Sequence, residues 1–346
     1  MDSKNLFRQE QRMSYNLIAD IGGTNARFAL CENGSVIPQF KQTLSCVDYP
    51  HIGLAISSYL DGVEAEVEAY IRPVRGVIAI ACPVYSDQVS MTNHGWSFSV
   101  KDLQQQIGFE QLDVINDFAA QAMALPWIPE ENLAKIGAGD IEENYPKVLV
   151  GPGTGLGVAG LVPNGNSWIP VVGEGGHGAF APESEIERKV LEIFSAKFPR
   201  VSRERLLSGQ GLEDLYETMT VLSTGRNSEA PEQNIRKEAA WITNQALQHK
   251  DDVASSALDL FCKVLGSVVG DIALTFGARG GAYICGGIPP RIMPILQQST
   301  FRSRFEDKGR MSDFVKRIPT YIVNHPCPGL LGAAAAAVHQ WDERRL

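Results

Sequence analysis

The sequence predicts an α/β protein built as two lobes. Short apolar runs alternate with helical stretches over most of the 346 residues. A strand, glycine turn, strand pattern occurs twice, at residues 15–30 and 147–162, and the stretch between holds further strands and a helix. The length suits two domains, and with 44% hydrophobic and 21% charged residues the chain can fill two buried cores.

The elements follow in order. Residues 15–19 and 27–30 flank a glycine turn and read as a hairpin. Residues 74–81 and 112–115 read as buried strands. A helix begins at Asn116-Asp117 and runs towards Leu125, where Pro126 ends it. Residues 147–150 and 158–162 again flank a glycine turn. In 183–198, Ile186, Val190, Ile193, Phe194 and Phe198 recur near the helix period, and acids crowd the first turn. Residues 254–276 form a long apolar helix, 282–285 a strand entering Gly286-Gly287, and 330–341 an alanine-rich closing helix. The polar segment 223–232, with Gly and Pro, is the expected flexible loop.

With 31 basic and 40 acidic residues the net charge is −9, which argues against a nucleic-acid partner or a membrane surface, since both call for a basic face. The six cysteines form no CxxC pair and sit mostly in apolar surroundings, as in Ile80-Ala81-Cys82, so reduced, buried thiols are expected. The first residues lack the apolar core of a signal peptide, and no apolar run reaches the ~20 residues of a membrane span. A cytoplasmic protein is expected.

Glycines let backbone N–H groups approach phosphate oxygens. In Asp20-Ile21-Gly22-Gly23-Thr24-Asn25 the turn follows an apolar strand, and Asp20 stands where a carboxylate holds Mg²⁺ through water. A plain hairpin turn is the alternative, although it needs neither the acid nor Thr24 and Asn25. The second turn is Gly151-Pro152-Gly153-Thr154-Gly155-Leu156-Gly157. Residues 155–160 match G-x-G-x-x-G, but they lead into a strand and not the helix that a dinucleotide site requires. The companion motifs of protein kinases are missing, and no P-loop motif occurs. Two strand-turn-strand glycine loops therefore point to a nucleotide clamp. Gly286-Gly287, after a strand, would let an adenosine approach the backbone.

Two readings fit Asn116-Asp117: a helix N-cap, or a general base that accepts the proton of an attacking hydroxyl. In Glu174-Gly175-Gly176-His177-Gly178 the glycines leave an acid and a histidine without local packing partners, which favours ligand binding over core filling. Glu204, between Arg203 and Arg205, reads by itself as a surface ion-pair residue.

A longer series of motifs completes the picture. It runs through Leu17-Ile18-Ala19-Asp20-Ile21-Gly22-Gly23-Thr24-Asn25-Ala26-Arg27, Met91-Thr92-Asn93-His94, Ile115-Asn116-Asp117-Phe118 and the turn 151–157. It continues with Glu174-Gly175-Gly176-His177, Phe180-Ala181-Pro182, Glu204-Arg205-Leu206-Leu207-Ser208-Gly209 and Gly286-Gly287-Ile288. Phe305-Glu306-Asp307-Lys308-Gly309-Arg310 and Pro328-Gly329-Leu330-Leu331-Gly332 end it. In these motifs, spread over about residues 15–340, the chain resembles bacterial-type glucokinases of the hexokinase superfamily.

The resemblance implies the actin-like, ribonuclease-H-like ATPase fold with a ligand cleft between lobes, ATP and D-glucose as substrates, Mg²⁺ as cofactor, and a homodimer. It makes Asp117 the base for the sugar 6-hydroxyl, and Asn116, Glu174, His177 and Glu204 ligands of the other hydroxyls, which moves Glu204 from surface to site. ATP phosphates would lie on Asp20, Gly22, Gly23 and Thr24 and on Gly153, Thr154 and Gly155, and adenosine on Gly286 and Gly287. The expected division is a tail at 1–14, a small domain at 15–125 completed by a helix at 328–346, and a large domain at 126–327. Pro326-Cys327 and the long N-terminal tail depart from the family pattern without touching a motif residue. Gly178 and Ala179 beside the sugar ligands leave the sugar preference open. A kinase for another hexose would share nearly every motif. A non-catalytic sugar sensor on the same scaffold would be expected to lack the base or the phosphate turns, and both stand here.

Overall fold

A computed structural model describes residues 14–67, 70–225 and 236–342. The expected tail, apart from Ser14, and most of the expected loop at 223–232 lie outside the described residues. The chain divides into two compact units. One comprises the chain up to Ile128, the stretch Gly165–Pro170 and the chain from Pro326; the other comprises Pro129–Asn164 and Val171–His325.

In the first unit, β1 (Tyr15–Ile21) and β2 (Asn25–Glu32) form a hairpin that β3 (Gln39–Ser45) extends. After helix α1 (Ile52–Glu66), β4 (Arg75–Ile80) pairs with β1 in parallel. A separate ribbon, β5 (Gln88–Ser90) with β6 (Ser97–Ser99), leads into helix α2 (Val100–Gln106). Strand β7 (Gln111–Asn116) then lies parallel to β4 and passes directly into α3 (Asp117–Ala124). The sheet order is β3-β2-β1-β4-β7.

Strand β1 reads as a continuous apolar run because both its faces are covered. Leu17, Ala19 and Ile21 pack with Ile52, Ile56, Tyr59 and Leu60 of α1. Ile18, on the opposite face, packs with Leu330, Ala333, Ala334 and Ala337 of the closing helix Pro328–Asp342. That helix is rich in alanine because it lies close against its neighbours: a Cβ added at Gly332 would run into the backbone carbonyl of Ala120 in α3.

The second unit repeats the arrangement. Strands β8 (Leu133–Ile136), β9 (Lys147–Pro152), β10 (Leu156–Asn164), β11 (Ser167–Gly173, of which only Val171–Gly173 fall within this unit), β12 (Ala282–Ile284) and β13 (Thr320–Val323) form a sheet in the order β11-β10-β9-β12-β13-β8. As with β1, the first strand of the glycine-turn hairpin, β9, pairs in parallel with a later strand, here β12. Helices α4 (Glu185–Lys197), α5 (Gly209–Thr224), α6 (Ala239–Leu247) and α7 (Asp252–Phe276) contribute Val190, Leu212, Ile242, Phe261 and Val269 to its core. Helix α8 (Met293–Gln298) adds Leu296, and α9 (Phe301–Glu306) adds Phe301 and Phe305. Among the described residues no helix is long and apolar enough to cross a membrane.

Two glycines separate packing from propensity. Gly332→Val is expected to lower the stability of the first unit by about 1–3 kcal/mol, because the new side chain must displace backbone. Gly62→Ala, in α1, meets only the amide oxygen of Gln42 at 4.0 Å and should raise stability by about 0.5–1 kcal/mol. Thermal unfolding of both variants against the parent chain checks the pair. A neutral Gly332→Val would contradict the packing.

Candidate active site

In the first unit, the functional groups collect at the carboxyl ends of the parallel strands β1 and β7, which flank β4. Ligands are commonly held there in open α/β sheets. Asp20 pairs with Ala79, and Ile80 pairs with Asn116, so both acids of the sequence reading sit on one sheet rim. Gly22 donates its N–H to the carbonyl of Asn25 at 2.9 Å and closes the turn. Buried Cys46 steadies it from below: its N–H donates to Thr24 O at 2.8 Å, and its thiol lies 3.5 Å from Gly22 O. Gly23 packs against the backbone of Asn93, where an added Cβ would lie only 3.0 Å from the Asn93 carbonyl oxygen. Among the described residues, no acceptor takes the N–H of Gly23 or Thr24.

Asn116 caps α3, and the side-chain geometry supports the cap reading directly. Its Oδ1 accepts from Phe118 N at 2.9 Å and Ala119 N at 3.3 Å. Its Nδ2 donates to Cys82 O at 3.2 Å and to Asp117 Oδ1 at 3.1 Å. Capping therefore occupies Asn116 and leaves Asp117 in the first turn with one oxygen oriented. Burial and, next, the neighbouring Asp20 push the Asp117 carboxyl up to about 6, against hydrogen bonds from Phe118 N–H and Asn116 that favour its charge. Burial also raises Asp20, opposed by Arg27, whose Nη1 stands 3.5 Å from Asp20 Oδ2. The start of the closing helix abuts the same acid: a Cβ on Gly329 would lie 2.8 Å from both Asp20 oxygens.

In the second unit, the turn 153–155 joins β9 to β10. Gly153 donates to Gly155 O at 2.8 Å, and its own carbonyl accepts from Gly209 N at the head of α5 at 2.8 Å. The pair Gly286-Gly287 lies alongside, with Gly287 N 3.9 Å from a Cβ built on Gly153. Gly286 has φ 86°, a conformation that glycine adopts without steric cost.

Glu174, His177 and Glu204 come together. A 3₁₀ turn, Gly175–His177, follows Glu174, and Gly176 in it presses on the carbonyl of Leu156, where no side chain fits. His177 Nε2 stands 3.8 Å from Glu174 Oε2, and Nδ1 stands 3.8 Å from Glu204 Oε1. Glu204 is no surface ion-pair residue here: its Oε2 accepts the N–H of Leu156 at 2.9 Å, beside Gly155. Its neighbours are engaged elsewhere, Arg205 over the Phe198 ring and Arg203 towards Asp271. Glu174 and His177 keep 63% and 61% of their side-chain surface exposed, which leaves their polar atoms available to a ligand.

The sequence reading missed a cavity of about 170 Å³ next to Gly287, lined by Leu212, Ala239, Ala240, Thr243, Asn244, Leu247, Ile288 and Arg291. Small residues at 239, 240, 243 and 244 on α6 were the available signal, but a small-residue face alone does not separate a pocket from a packing surface. For Mg²⁺, the described residues hold no cluster of three or more ligating side chains. Asp20, whose charge raises the proton affinity of the neighbouring Asp117, fits an ion held mainly through water.

An acid whose proton affinity is higher folded than unfolded destabilises the fold increasingly as pH rises through its unfolded value, and in full above its folded value. The Asp117 contribution is therefore neutral below about pH 4, grows as pH rises, and is fully unfavourable above about pH 6. Asp117→Asn is expected to stabilise the ligand-free protein by about 2 kcal/mol at pH 7.5 and by little at pH 4. Chemical denaturation at the two values measures this, and equal stabilities at both would contradict the raised proton affinity.

A family model described as Glucokinase matches residues 17–340. A glucokinase of Chromohalobacter salexigens is 44% identical over 320 residues, which cover 92% of this chain and 96% of the relative. The solved structure of a glucokinase from an Antarctic psychrotroph is 38% identical with a TM-score of 0.85, covering 94% of this chain and 99% of its own. A ROK family glucokinase from Streptomyces griseus, solved with glucose and AMPPNP, is 18% identical at a TM-score of 0.60, covering 94% and 100%, a likeness of fold. The chain belongs to the glucokinase family of ATP-dependent hexose kinases and has the actin-like ATPase fold.

Proposed function

We propose that the chain transfers the γ-phosphoryl group of ATP to the 6-hydroxyl of D-glucose, giving glucose 6-phosphate and ADP. The observation that carries this is Asp117, whose carboxyl is pushed up to about 6 at a sheet rim beside a glycine turn. A base of that strength is ionised at neutral pH yet has useful affinity for the proton it must take. Asp117 accepts the 6-hydroxyl proton as the oxygen attacks, with Asn116 orienting the carboxylate by its Nδ2. Glu174, His177 and Glu204 bind the remaining hydroxyls: two carboxylates accept, and the imidazole between them donates or accepts.

The N–H groups of Gly23 and Thr24 bind phosphate oxygens, as does the turn Gly153-Thr154-Gly155. The adenine ring enters the 170 Å³ cavity beside Ile288, and its ribose lies along Gly286-Gly287. Asp20, with Asp117 beside it, would hold Mg²⁺ through water; when bound, the ion would neutralise phosphate charge. Glucose and AMPPNP in the Streptomyces griseus structure support the pairing of sugar and nucleotide in this reading. The reading extends to a cytoplasmic homodimer acting at the first step of glycolysis.

Asp117→Ala should cut turnover by roughly 10²–10⁴-fold while glucose still binds, and near-parent turnover would remove Asp117 from the role of base. The kcat/KM of the parent chain should fall as pH drops through about 6, when Asp117 takes a proton before the hydroxyl can supply one. A coupled assay over glucose, mannose and N-acetylglucosamine, with ATP, ADP and polyphosphate as donors, tests the substrates. The expected result is glucose with ATP, lost on chelation and restored by Mg²⁺; no phosphorylation of glucose by ATP would overturn the reading.

A further inference from the structure

The motif from Phe305 to Arg310 has no part in the reaction described above, yet its lysine is almost completely buried. Lys308 keeps 6% of its side-chain surface, lies against Gly270 of α7, and places Nζ 2.9 Å from Asp271 Oδ1. The other oxygen of Asp271 faces Arg203 Nη2 at 3.9 Å. Charges alternate onwards from Lys308: Glu183 Oε1 at 3.9 Å, then Arg304, 2.8 Å from Glu183 Oε2 and 3.1 Å from Glu187, which is 1% exposed. Arg304 Nε also donates to Ser267 of α7 at 3.1 Å.

Such a chain is a poor device for stability, because desolvating ions offsets most of their attraction. Its placement is informative. Arg203 immediately precedes Glu204. Its N–H donates to Gly178 O at 2.9 Å, and its guanidinium lies so close over Gly178 that an added Cβ would sit 3.3 Å from Nε and Cζ. A bridge between Ala179 and Ser202, and the bond from Phe180 N to Val201 O at 3.0 Å, tie the segment after His177 to the segment before Glu204. These two segments form a short strap. One end leads to His177 and the other to Glu204, and the ionic chain fastens the strap to α7 and to the motif after α9.

We propose that Asp271 is a positioning residue of the sugar site. Through Lys308 and Arg203 it sets the spacing of His177 and Glu204, and this gives the Phe305–Arg310 motif its role in hexose binding. The inference rests on the reading of Glu174, His177 and Glu204 as sugar ligands. A carboxylate with one oxygen 2.9 Å from Lys308 and the other facing Arg203 at 3.9 Å draws the guanidinium towards α7, where an uncharged side chain would let it swing.

The test is glucose binding by calorimetry without nucleotide, together with steady-state kinetics and melting temperature, on the full chain. Asp271→Asn, nearly the same size, should weaken glucose binding and raise its KM by about tenfold or more, since a misplacement of about 1 Å can cost a hundredfold. The KM for ATP should stay within about twofold. Asp271→Glu should recover part of the loss. Arg203→Gln combined with Asp271→Asn should be no worse than the weaker single variant, because both act through one linkage. Unchanged glucose affinity in Asp271→Asn, with or without a lower melting temperature, would overturn the proposal, as would additive losses in the double variant. His177→Ala serves as the separating control. If it loses glucose while Asp271→Asn does not, the positioning role alone fails; if it keeps glucose, the assignment of the sugar ligands fails beneath it.

Discussion

Two carboxylates withdrawn from water on one sheet rim set much of the design of the first unit. Burial raises the proton affinity of both, and Asp20 raises that of Asp117 further, so neither would sit there without compensation. Arg27, opposite Asp20 in the hairpin register, compensates one. The first turn of α3, with Phe118 N–H and the Asn116 amide, compensates the other. The neighbouring architecture follows from holding these groups in place: β1 and β7 run parallel on either side of β4, and the second residue of the closing helix is a glycine because its backbone lies against Asp20.

The second unit depends on a different contact, the hydrogen bond from Leu156 N to Glu204 Oε2. Gly155 has no side chain to block that carboxylate, and Gly176 lets the turn bearing His177 reach the carbonyl of the same Leu156. One residue pair of the β9–β10 hairpin thus anchors both parts of the candidate sugar cluster, next to the turn assigned to phosphate. The strap fastened to Asp271 gives the cluster a second point of support, from the side of the α-helices. Glycines in this unit act less as flexible joints than as places where backbone, carboxylate and guanidinium approach one another.

Much of this was legible in the chain. The two hairpins, the buried strands and the helix opening at Asn116-Asp117 all follow from local signals, because apolar period, glycine turns and capping residues act over a few neighbours. Glu174 and His177 stood out because the glycines around them deprive them of packing partners. Glu204 did not: its flanking arginines suggested a surface pair, and only the family motif moved it towards the site. The cavity beside Ile288 left only an ambiguous trace, the small-residue face of α6, since the rest of its wall comes from α5 and the segment after β12. The buried state of Lys308 was equally hidden, because its partners are Asp271 and Glu183, in elements distant along the chain.

The sequence by itself determined where strands and helices run, which turns lack side chains, and that Asp20 and Asp117 each follow an apolar strand. These are consequences of stereochemistry within a few residues. Tertiary structure alone decided that Asp20 and Asp117 share one rim and that Asp20 raises the proton affinity of Asp117, that Glu204 turns towards His177, and that the Lys308 side chain is buried beside an acid of α7. Each of these depends on charges and backbone meeting across large separations in the chain, where Coulomb energy and desolvation vary with distance in space and not with distance in sequence.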